Sequence, residues 1–146
     1  MEIVRISAKD TFTLRQVILR PHMTVEECSF PGDYDDKTFH LGGIVDKSLV
    51  SLASFYFEKH RQIPGAYHYR LRGMATVDDY RGKGLGAALL KTAFPIIMQN
   101  QGQILWCNAR EKAVGFYESV GFKPLGETFL IKEIGPHQLM FKNLES

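Results

Sequence analysis

The chain has 146 residues, of which 45% are hydrophobic and 23% are charged, and its formal net charge is +2. This size suits one compact domain, and we expect a single domain over residues 1–146. The charge is too mild for a nucleic-acid-binding protein, which carries a clustered basic face. The start of the chain lacks a signal-peptide pattern, no apolar run reaches the length of a membrane span, and the two cysteines lack metal-ligand spacing. We therefore expect a cytoplasmic protein without membrane, nucleic-acid or metal partners.

The first part of the chain predicts a strand, a helix and an irregular segment. Residues 2–7 predict a short strand, and the apolar spacing over Thr11–Leu19 predicts a helix with Asp10 as its N-cap. Pro21 ends this helix, because proline disfavours helical geometry in the residue before it. The acidic stretch 22–37 follows, and we expect it to be a surface segment that covers or borders a site.

The rest of the chain alternates between strands and helices, which predicts a mixed α/β fold. Residues 38–45 and 49–57 predict two strands joined by a turn at Asp46-Lys47. Apolar residues at every fourth position predict a later helix, in which Pro95 should kink the axis or tighten one turn. The elements expected after the hairpin are a strand over 67–76, a helix over 82–100, a strand over 103–107, a helix over 111–120, and strands starting at 122 and 137.

The segment from Met74 to Gly86, MATVDDYRGKGLG, carries the most informative pattern. It leads from a strand through a turn with three glycines into the start of a helix. The N–H groups and dipole of a helix N-terminus attract phosphates, and glycines let the backbone approach such a ligand closely. The loop of phosphate-binding NTPases requires Ser or Thr after its lysine, whereas Gly84 follows Lys83. A dinucleotide-binding fold requires a different glycine spacing and a downstream acidic residue. A pyrophosphate loop for acetyl-CoA is the third possibility.

Two motifs resemble the GNAT superfamily of acetyl-CoA-dependent N-acetyltransferases. Residues 81–86, RGKGLG, resemble its [Q/R]-x-x-G-x-[G/A] signature, and residues 113–122, AVGFYESVGF, resemble its A-x-x-F-Y-x-x-x-G-F helix. Two such motifs in the right order are far more specific than one glycine loop. The resemblance implies the GNAT fold, which is a central mixed, mostly antiparallel sheet flanked by helices, with two central strands that splay apart.

The resemblance also implies direct acetyl transfer from acetyl-CoA within a ternary complex. An N–H near Met74 is expected to bond the thioester oxygen, and the amides from Arg81 to Ala87 are expected to hold the pyrophosphate. The splayed strands then admit the pantetheine arm. The residues expected to contact acetyl-CoA are Met74, Ala75, Thr76, Arg81, Gly82, Lys83, Gly84, Leu85, Gly86, Ala87 and Asn108.

Further segments resemble the glyphosate N-acetyltransferase subfamily. They are ILRP at 18–21, HLGG at 40–43, LRGMAT at 71–76, LWCNAR at 105–110 and IGPH at 134–137. In that subfamily three arginines and a histidine line the acceptor pocket, and the matching residues are Arg20, Arg72, Arg110 and His137. Guanidinium groups bind carboxylates and phosphonates in a bidentate manner. The resemblance therefore implies a small anionic amine as acceptor, such as an amino acid analogue or an aminophosphonate.

Two residues are expected to move protons. His137 suits a general base, because the reference pKa of histidine is about 6.5, and Tyr117 is expected to protonate the leaving thiolate. Each candidate also has a purely structural explanation. His137 can be a structural histidine at a strand start, Tyr117 can be a core residue, and the arginines can be solvated surface charges. Arg70 and Arg72 share a strand face, so one of them can be merely solvent-facing. Cys107 lacks an adjacent base and is interpreted as a packing residue.

Two other functions remain open. Acetylation of a peptide or protein amine requires an open groove, and the clustered arginines argue against it. A non-catalytic acyl-CoA-binding domain requires no proton-transfer groups, and Tyr117 with His137 argues against that. Either a monomer or a homodimer is compatible with the strand edges expected for such a sheet.

Overall fold

The computed structural model describes residues 1–144, which form one eight-stranded sheet with helices packed against it. The strands are β1 (Glu2–Ile6), β2 (Phe39–Val45), β3 (Ser48–Phe57), β4 (His68–Thr76), β5 (Ile104–Arg110), β6 (Lys123–Pro124), β7 (Phe129–Ile131) and β8 (Gly135–Asn143). The α-helices are α1 (Phe12–Leu14), α2 (Leu85–Gln99) and α3 (Val114–Ser119). Short 3₁₀ turns cover Lys9–Thr11, Glu26–Cys28, Asp78–Tyr80 and Glu111–Ala113, and Arg15–Leu19 is a π-helical segment.

The sheet is mixed and mostly antiparallel, as the sequence predicts. Its strand order is β1-β2-β3-β4-β5-β8-β6, and β7 pairs with β8 beside this path. The central strands β4 and β5 are parallel, and they pair only from His68 to Arg70 with Ile104 to Trp106. Both strands continue well past this ladder, to Thr76 and Arg110. The two central strands therefore diverge, which confirms the predicted splay and opens a cleft in the middle of the sheet.

The strand register separates two chemically different faces of the sheet. Residues directly opposite each other in a ladder project from the same face. One face carries the main core, including Phe55, Leu71 and Leu105, and α2 and α3 cover it. The other face, which we call the arginine face, carries side chains of β3, β4, β5 and β8. Its pairs are Tyr56 with Arg70, Ser54 with Arg72, Trp106 with Phe141, Asn108 with Leu139 and Arg110 with His137.

A β-bulge interrupts β4 where it starts to diverge from β5. Leu52 pairs with Ala75 and Ser54 with Arg72, so Ala53 alone faces two residues, Gly73 and Met74. Gly73 has φ +71°, a conformation that glycine adopts without strain. A Cβ at this position would also lie 3.0 Å from the Phe30 ring. The bulge breaks the hydrogen-bond ladder locally and brings the backbone of β4 close to Phe30.

The first helical region differs from its prediction in detail. The Ser7 N–H donates to Asp10 Oδ2 at 3.1 Å, and the Asp10 N–H donates to Ser7 Oγ at 3.2 Å. The prediction that Asp10 is the N-cap is therefore wrong: Asp10 is the partner of Ser7 in a reciprocal capping arrangement. The predicted end before Pro21 is confirmed, because Arg20 leaves helical geometry with φ −140° and ψ 60°.

Three later elements also differ from their predictions. α2 starts at Leu85 and not at Gly82, because Gly82 and Gly84 have φ +75° and +84°. It continues as an α-helix on both sides of Pro95, whose side chain is exposed. β5 extends three residues beyond the predicted end at Cys107, and the short strand β7 was not predicted at all.

A buried ion pair orders the acidic segment 22–37, which the sequence predicts to lie on the surface. The side chains of Arg15 and Asp33 have no exposed area, and the two form a bidentate pair at 2.7 and 3.0 Å. Arg15 also donates to the Cys28 carbonyl, to Ser54 Oγ and to the Tyr56 hydroxyl. The Tyr56 hydroxyl and the Phe30 N–H each donate to the Asp33 carboxylate.

The network fixes both the charge of Asp33 and the protonation of His40. Burial alone raises the pKa of a carboxyl, but hydrogen bonds from Arg15, Tyr56 and the backbone of Phe30 hold the pKa of Asp33 below its usual range. His40 Nε2 must donate to the Asp33 carbonyl at 3.0 Å, so its Nδ1 accepts from Ser54 Oγ at 2.7 Å. Burial lowers the pKa of His40, which favours this neutral form.

We predict that Asp33→Asn lowers the free energy of unfolding by about 3 kcal/mol, because it leaves the Arg15 charge buried and unpaired. Urea denaturation at pH 7 measures this. The lowered pKa of Asp33 means that its stabilisation is complete above about pH 4, and is lost as the pH falls through the folded-state pKa. Glu58→Gln, which removes the half-exposed partner of Arg70, is the control, and it should change stability by less than about 1 kcal/mol. Equal effects of the two substitutions would contradict the prediction.

Candidate active site

The glycine turn between β4 and α2 presents open backbone to solvent. A Cβ built on Gly82 or Gly84 would meet no atom within 4 Å, and both residues have positive φ. Among residues 1–144, no side chain caps the N-terminus of α2. Arg81 and Lys83 are exposed beside the turn, and Arg81 makes an ion pair with Asp78 at 3.3 Å. Uncapped amides, a helix dipole and adjacent cations together form a site for phosphate groups.

Close packing connects this turn to the β4 bulge and to α3. A Cβ on Gly86 would lie 3.1 Å from Phe116 Cζ and 3.6 Å from Met74 Sδ. Gly86 therefore allows α2, α3 and β4 to meet at one point. Of the residues predicted to contact acetyl-CoA, Met74, Ala75 and Thr76 lie in the part of β4 beyond its last pair with β5, and Asn108 lies half-buried in the diverging part of β5. Residues 81–87 form the turn and the start of α2.

Three guanidinium groups surround the buried ring of Phe30. The Cζ atoms of Arg15, Arg72 and Arg20 lie 3.9, 4.4 and 5.0 Å from the ring centroid. Asp33 neutralises Arg15, whereas Arg20 and Arg72 make no ion pair with any residue in the range 1–144. Burial lowers the pKa of Arg72, and the charges of Arg70 and Arg20 lower it further. Two cations without a counter-ion thus meet over one aromatic ring, which is an environment that attracts an anion.

Arg110 and His137 lie opposite each other across β5 and β8 on the same face. Arg110 is exposed, whereas His137 is 4% exposed. His137 Nδ1 bonds the Gly135 carbonyl at 2.8 Å, and because a carbonyl only accepts, Nδ1 carries the proton. The lone pair of the neutral ring is therefore on Nε2. Phe129 pairs with His137 across β7 and β8, with ring centroids 6.1 Å apart, and helps to fix the ring orientation.

Tyr117 lies on the opposite face of the sheet, in the core beside the cleft. It is 8% exposed, and its ring contacts Phe116 and Phe122 edge-on at 5.1 and 5.3 Å. Burial and the neighbouring Cys107 thiol raise the pKa of Tyr117 far above its usual value, so the hydroxyl stays protonated. The sequence predicts a hydroxyl that reaches a cleft. In the structure the ring is part of the core, and the hydroxyl lies next to Cys107, the β5 residue that follows Trp106 of the last β4–β5 pair.

The sequence prediction missed Arg15, Phe30 and Asp33. A weak signal was present for Arg15, because it lies four residues after Thr11 on the buried side of the helical segment, and both residues have no exposed area. A charged residue on the buried side of a helix needs a buried partner. Nothing in the spacing identified Asp33 among the five acidic residues of the segment 22–37. Arg70 and Arg72, of which one was expected to be merely solvent-facing, are both partly buried on the arginine face.

A splayed sheet with an anion-binding turn at the end of one central strand is the architecture expected of an acyl-CoA-dependent acyltransferase. The family model described as Acetyltransferase (GNAT) domain matches residues 40–124. A protein of Bacillus subtilis (strain 168), called uncharacterized N-acetyltransferase YitI, is 41% identical over 146 residues, which cover 100% of this chain and 98% of the relative. The chain belongs to the GNAT acetyltransferase family, and it is an N-acetyltransferase that uses acetyl-CoA as donor.

Solved structures share this fold at low sequence identity. The crystal structure of an aminoglycoside 6'-N-acetyltransferase complexed with coenzyme A has a TM-score of 0.79 and 14% identity, and the match covers 100% of this chain and 98% of the other. A GNAT-family acetyltransferase from Streptococcus pneumoniae has a TM-score of 0.70 and 18% identity, with 97% and 98% coverage. Identities this low establish the fold alone. Within residues 1–144, no helix is long and apolar enough to span a bilayer.

We predict that both cysteines of the native enzyme are unreactive toward a thiol reagent such as dithionitrobenzoate at pH 8. Cys28 is fully buried, and burial raises the pKa of the Cys107 thiol to about 12, so almost no thiolate is available to react. Unfolding in guanidinium chloride should then release two equivalents of thionitrobenzoate. Rapid reaction of one thiol in the folded enzyme would show that Cys107 is accessible through the cleft and is more than a packing residue.

Proposed function

We propose that this enzyme acetylates the amine of a small acidic molecule, such as an amino acid analogue or an aminophosphonate. The observation that carries the proposal is the pair of uncompensated guanidinium groups of Arg20 and Arg72 over Phe30. Arg110 and His137 project from the same face of the sheet. An acceptor with a carboxylate or phosphonate supplies the missing negative charge through bidentate hydrogen bonds.

The cleft between β4 and β5 fits acetyl-CoA, which supplies the activated acetyl group. In the proposal, the amides of residues 81–87 bind the pyrophosphate, with Arg81 and Lys83 adding positive charge. Met74, Ala75, Thr76 and Asn108 line the path of the pantetheine arm between the diverging strands. A backbone N–H near Met74 is proposed to bond the thioester oxygen, because this part of β4 lies beyond its last pair with β5.

His137 and Tyr117 offer complementary proton-transfer groups for direct transfer. A free amine is mostly protonated at neutral pH, and His137 Nε2 is in the tautomer that accepts a proton from it. Tyr117 is protonated at neutral pH and is proposed to give its proton to the leaving thiolate. Arg20, Arg72 and Arg110 hold the acid groups of the acceptor so that its amine points toward the thioester.

A thiol-release assay with acetyl-CoA and a panel of amines tests the proposal. The panel contains an acidic amino acid, an aminophosphonate, an alkylamine without an acid group, an aminoglycoside and a peptide with a free N-terminus. We expect turnover with the acidic amines and little with the others, because unpaired arginines repel a cationic acceptor. Turnover with the peptide alone would assign the enzyme to peptide or protein amines. Tight binding of coenzyme A without thiol release from any amine would indicate a non-catalytic acyl-CoA-binding domain.

We predict that Arg20→Ala and Arg110→Ala each raise the KM for the acidic acceptor by about tenfold to a hundredfold, the range for a lost charge-assisted hydrogen bond. The KM for acetyl-CoA should stay unchanged in both. Lys91→Ala is the matched control, because it removes an exposed cation from α2, which packs on the other face of the sheet. An equal loss of affinity for acetyl-CoA would mean that the two arginines support the fold or the donor and do not bind the acceptor.

We predict that His137→Ala lowers kcat at pH 7 by about a hundredfold, the lower range for loss of a general base. The loss should shrink as the pH rises, because a growing fraction of the amine is then already neutral. A profile of kcat against pH for both enzymes measures this. His22→Ala, which removes an exposed histidine, should keep the wild-type profile. A parallel pair of profiles for wild type and His137→Ala would exclude His137 as the base.

A further inference from the structure

A second ion pair lies on the arginine face beside the proposed acceptor site. Arg70 precedes Arg72 by two residues on β4, so both side chains project from the same face. Arg70 Nη1 donates to Glu58 Oε2 at 3.2 Å. Glu58 follows β3 directly, and its N–H donates to the His68 carbonyl at 3.2 Å, so it continues the ladder with β4. Its carboxylate therefore lies at the end of the same face.

This pair is far more exposed than the pair that orders segment 22–37. The side chains of Arg70 and Glu58 are 23% and 49% exposed, whereas those of Arg15 and Asp33 are fully buried. An exposed ion pair contributes little to folding stability. A competing anion can therefore displace Glu58 from Arg70 without disturbing the fold.

Arg70 also has donors that the described residues leave unused. Its guanidinium stacks on Trp106 at 4.9 Å, and Arg70 with Trp106 is the last pair before β4 and β5 diverge. Arg70 Nε is buried and has no hydrogen-bond partner among residues 1–144. A rigid, stacked guanidinium with unused donors at the base of the cleft is suited to a bidentate anion.

We propose that Arg70 and Glu58 form a second anion subsite that sets the length of the preferred acceptor; this inference rests on the proposed function. One acid group of the acceptor lies on Arg20 and Arg72, and the distal acid group displaces Glu58 and binds Arg70. Residues two apart on a strand are separated by roughly 6–7 Å, so the two acid groups should be about that far apart. The favoured class is a longer aminodicarboxylate or its phosphonate analogue, because only a longer chain lets the distal acid group reach Arg70.

The experiment compares kcat/KM for aspartate, glutamate and 2-aminoadipate in the wild type, Arg70→Gln and Glu58→Gln. Arg70→Gln should lower the value for 2-aminoadipate about tenfold and leave that for aspartate within about twofold. Glu58→Gln should raise the value for 2-aminoadipate relative to that for aspartate about threefold to tenfold, because Arg70 then has no internal counter-ion. Lys91→Gln is the matched control, and the KM for acetyl-CoA should be the same in every variant.

Two results would overturn the subsite. One is an equal loss with all three acceptors in Arg70→Gln, which would mean that Arg70 supports the fold or the chemistry. The other is an unchanged length preference in both variants.

A binding measurement separates failure of the subsite from failure of the proposed function. If the wild type binds acetyl-CoA but acetylates none of the three amines, the proposed acceptor class is wrong. Calorimetric titration with succinate, glutarate and adipate still tests the subsite, because these dicarboxylates need no turnover. Adipate should bind about tenfold more weakly to Arg70→Gln and more tightly to Glu58→Gln than to the wild type. Equal affinities across the three proteins would reject the subsite.

Discussion

The buried pair of Arg15 and Asp33 is the interaction on which the arginine face depends. Removing two charges from water is costly, and such a pair persists only when nearly every donor and acceptor is satisfied. Here the bonds join the π-helical segment to the segment that contains Asp33 and to β3, where Tyr56 closes the network. The Phe30 N–H bonds the same carboxylate, so the ring that carries Arg20 and Arg72 is fixed by this pair.

The arginines on and beside the arginine face differ in how far other residues of the protein neutralise their charge. Asp33 fully compensates Arg15, Glu58 compensates Arg70 through one exposed contact, and Arg20 and Arg72 have no carboxylate partner within residues 1–144. Arg15, whose guanidinium has no access to solvent, has a permanent counter-ion. Arg20 and Arg72, which are proposed to bind the acceptor, keep their charge uncompensated. The fold thus separates the charge that it needs for stability from the charge that it offers to a ligand.

Local patterns predicted the parts of this structure that local chemistry determines. The hairpin turn at Asp46-Lys47 has φ +49° and +66°, and the glycine turn before α2 has open backbone, because short-range sterics decide both. Ser7 was missed because Asp10 is an equally good capping residue by sequence. Strand β7 was missed because it forms by pairing with β8. Asp33 was missed because its role comes from a partner 18 residues away, and no spacing rule encodes a tertiary contact.

Strand β4 links the two halves of the proposed reaction within a few residues. Arg70 and Arg72 lie at the proposed acceptor site, the bulge at Gly73 and Met74 follows at once, and the strand then leads to the glycine turn that is proposed to bind the donor. The bulge adds one residue to β4 relative to β3, and it follows the two arginines, so both stay on one face. Because one rigid strand carries both binding regions, their separation is set by covalent geometry and not by loop closure. In the proposed direct transfer, such preorganisation holds the two reactants at a fixed distance and so reduces the entropic cost of bringing them together.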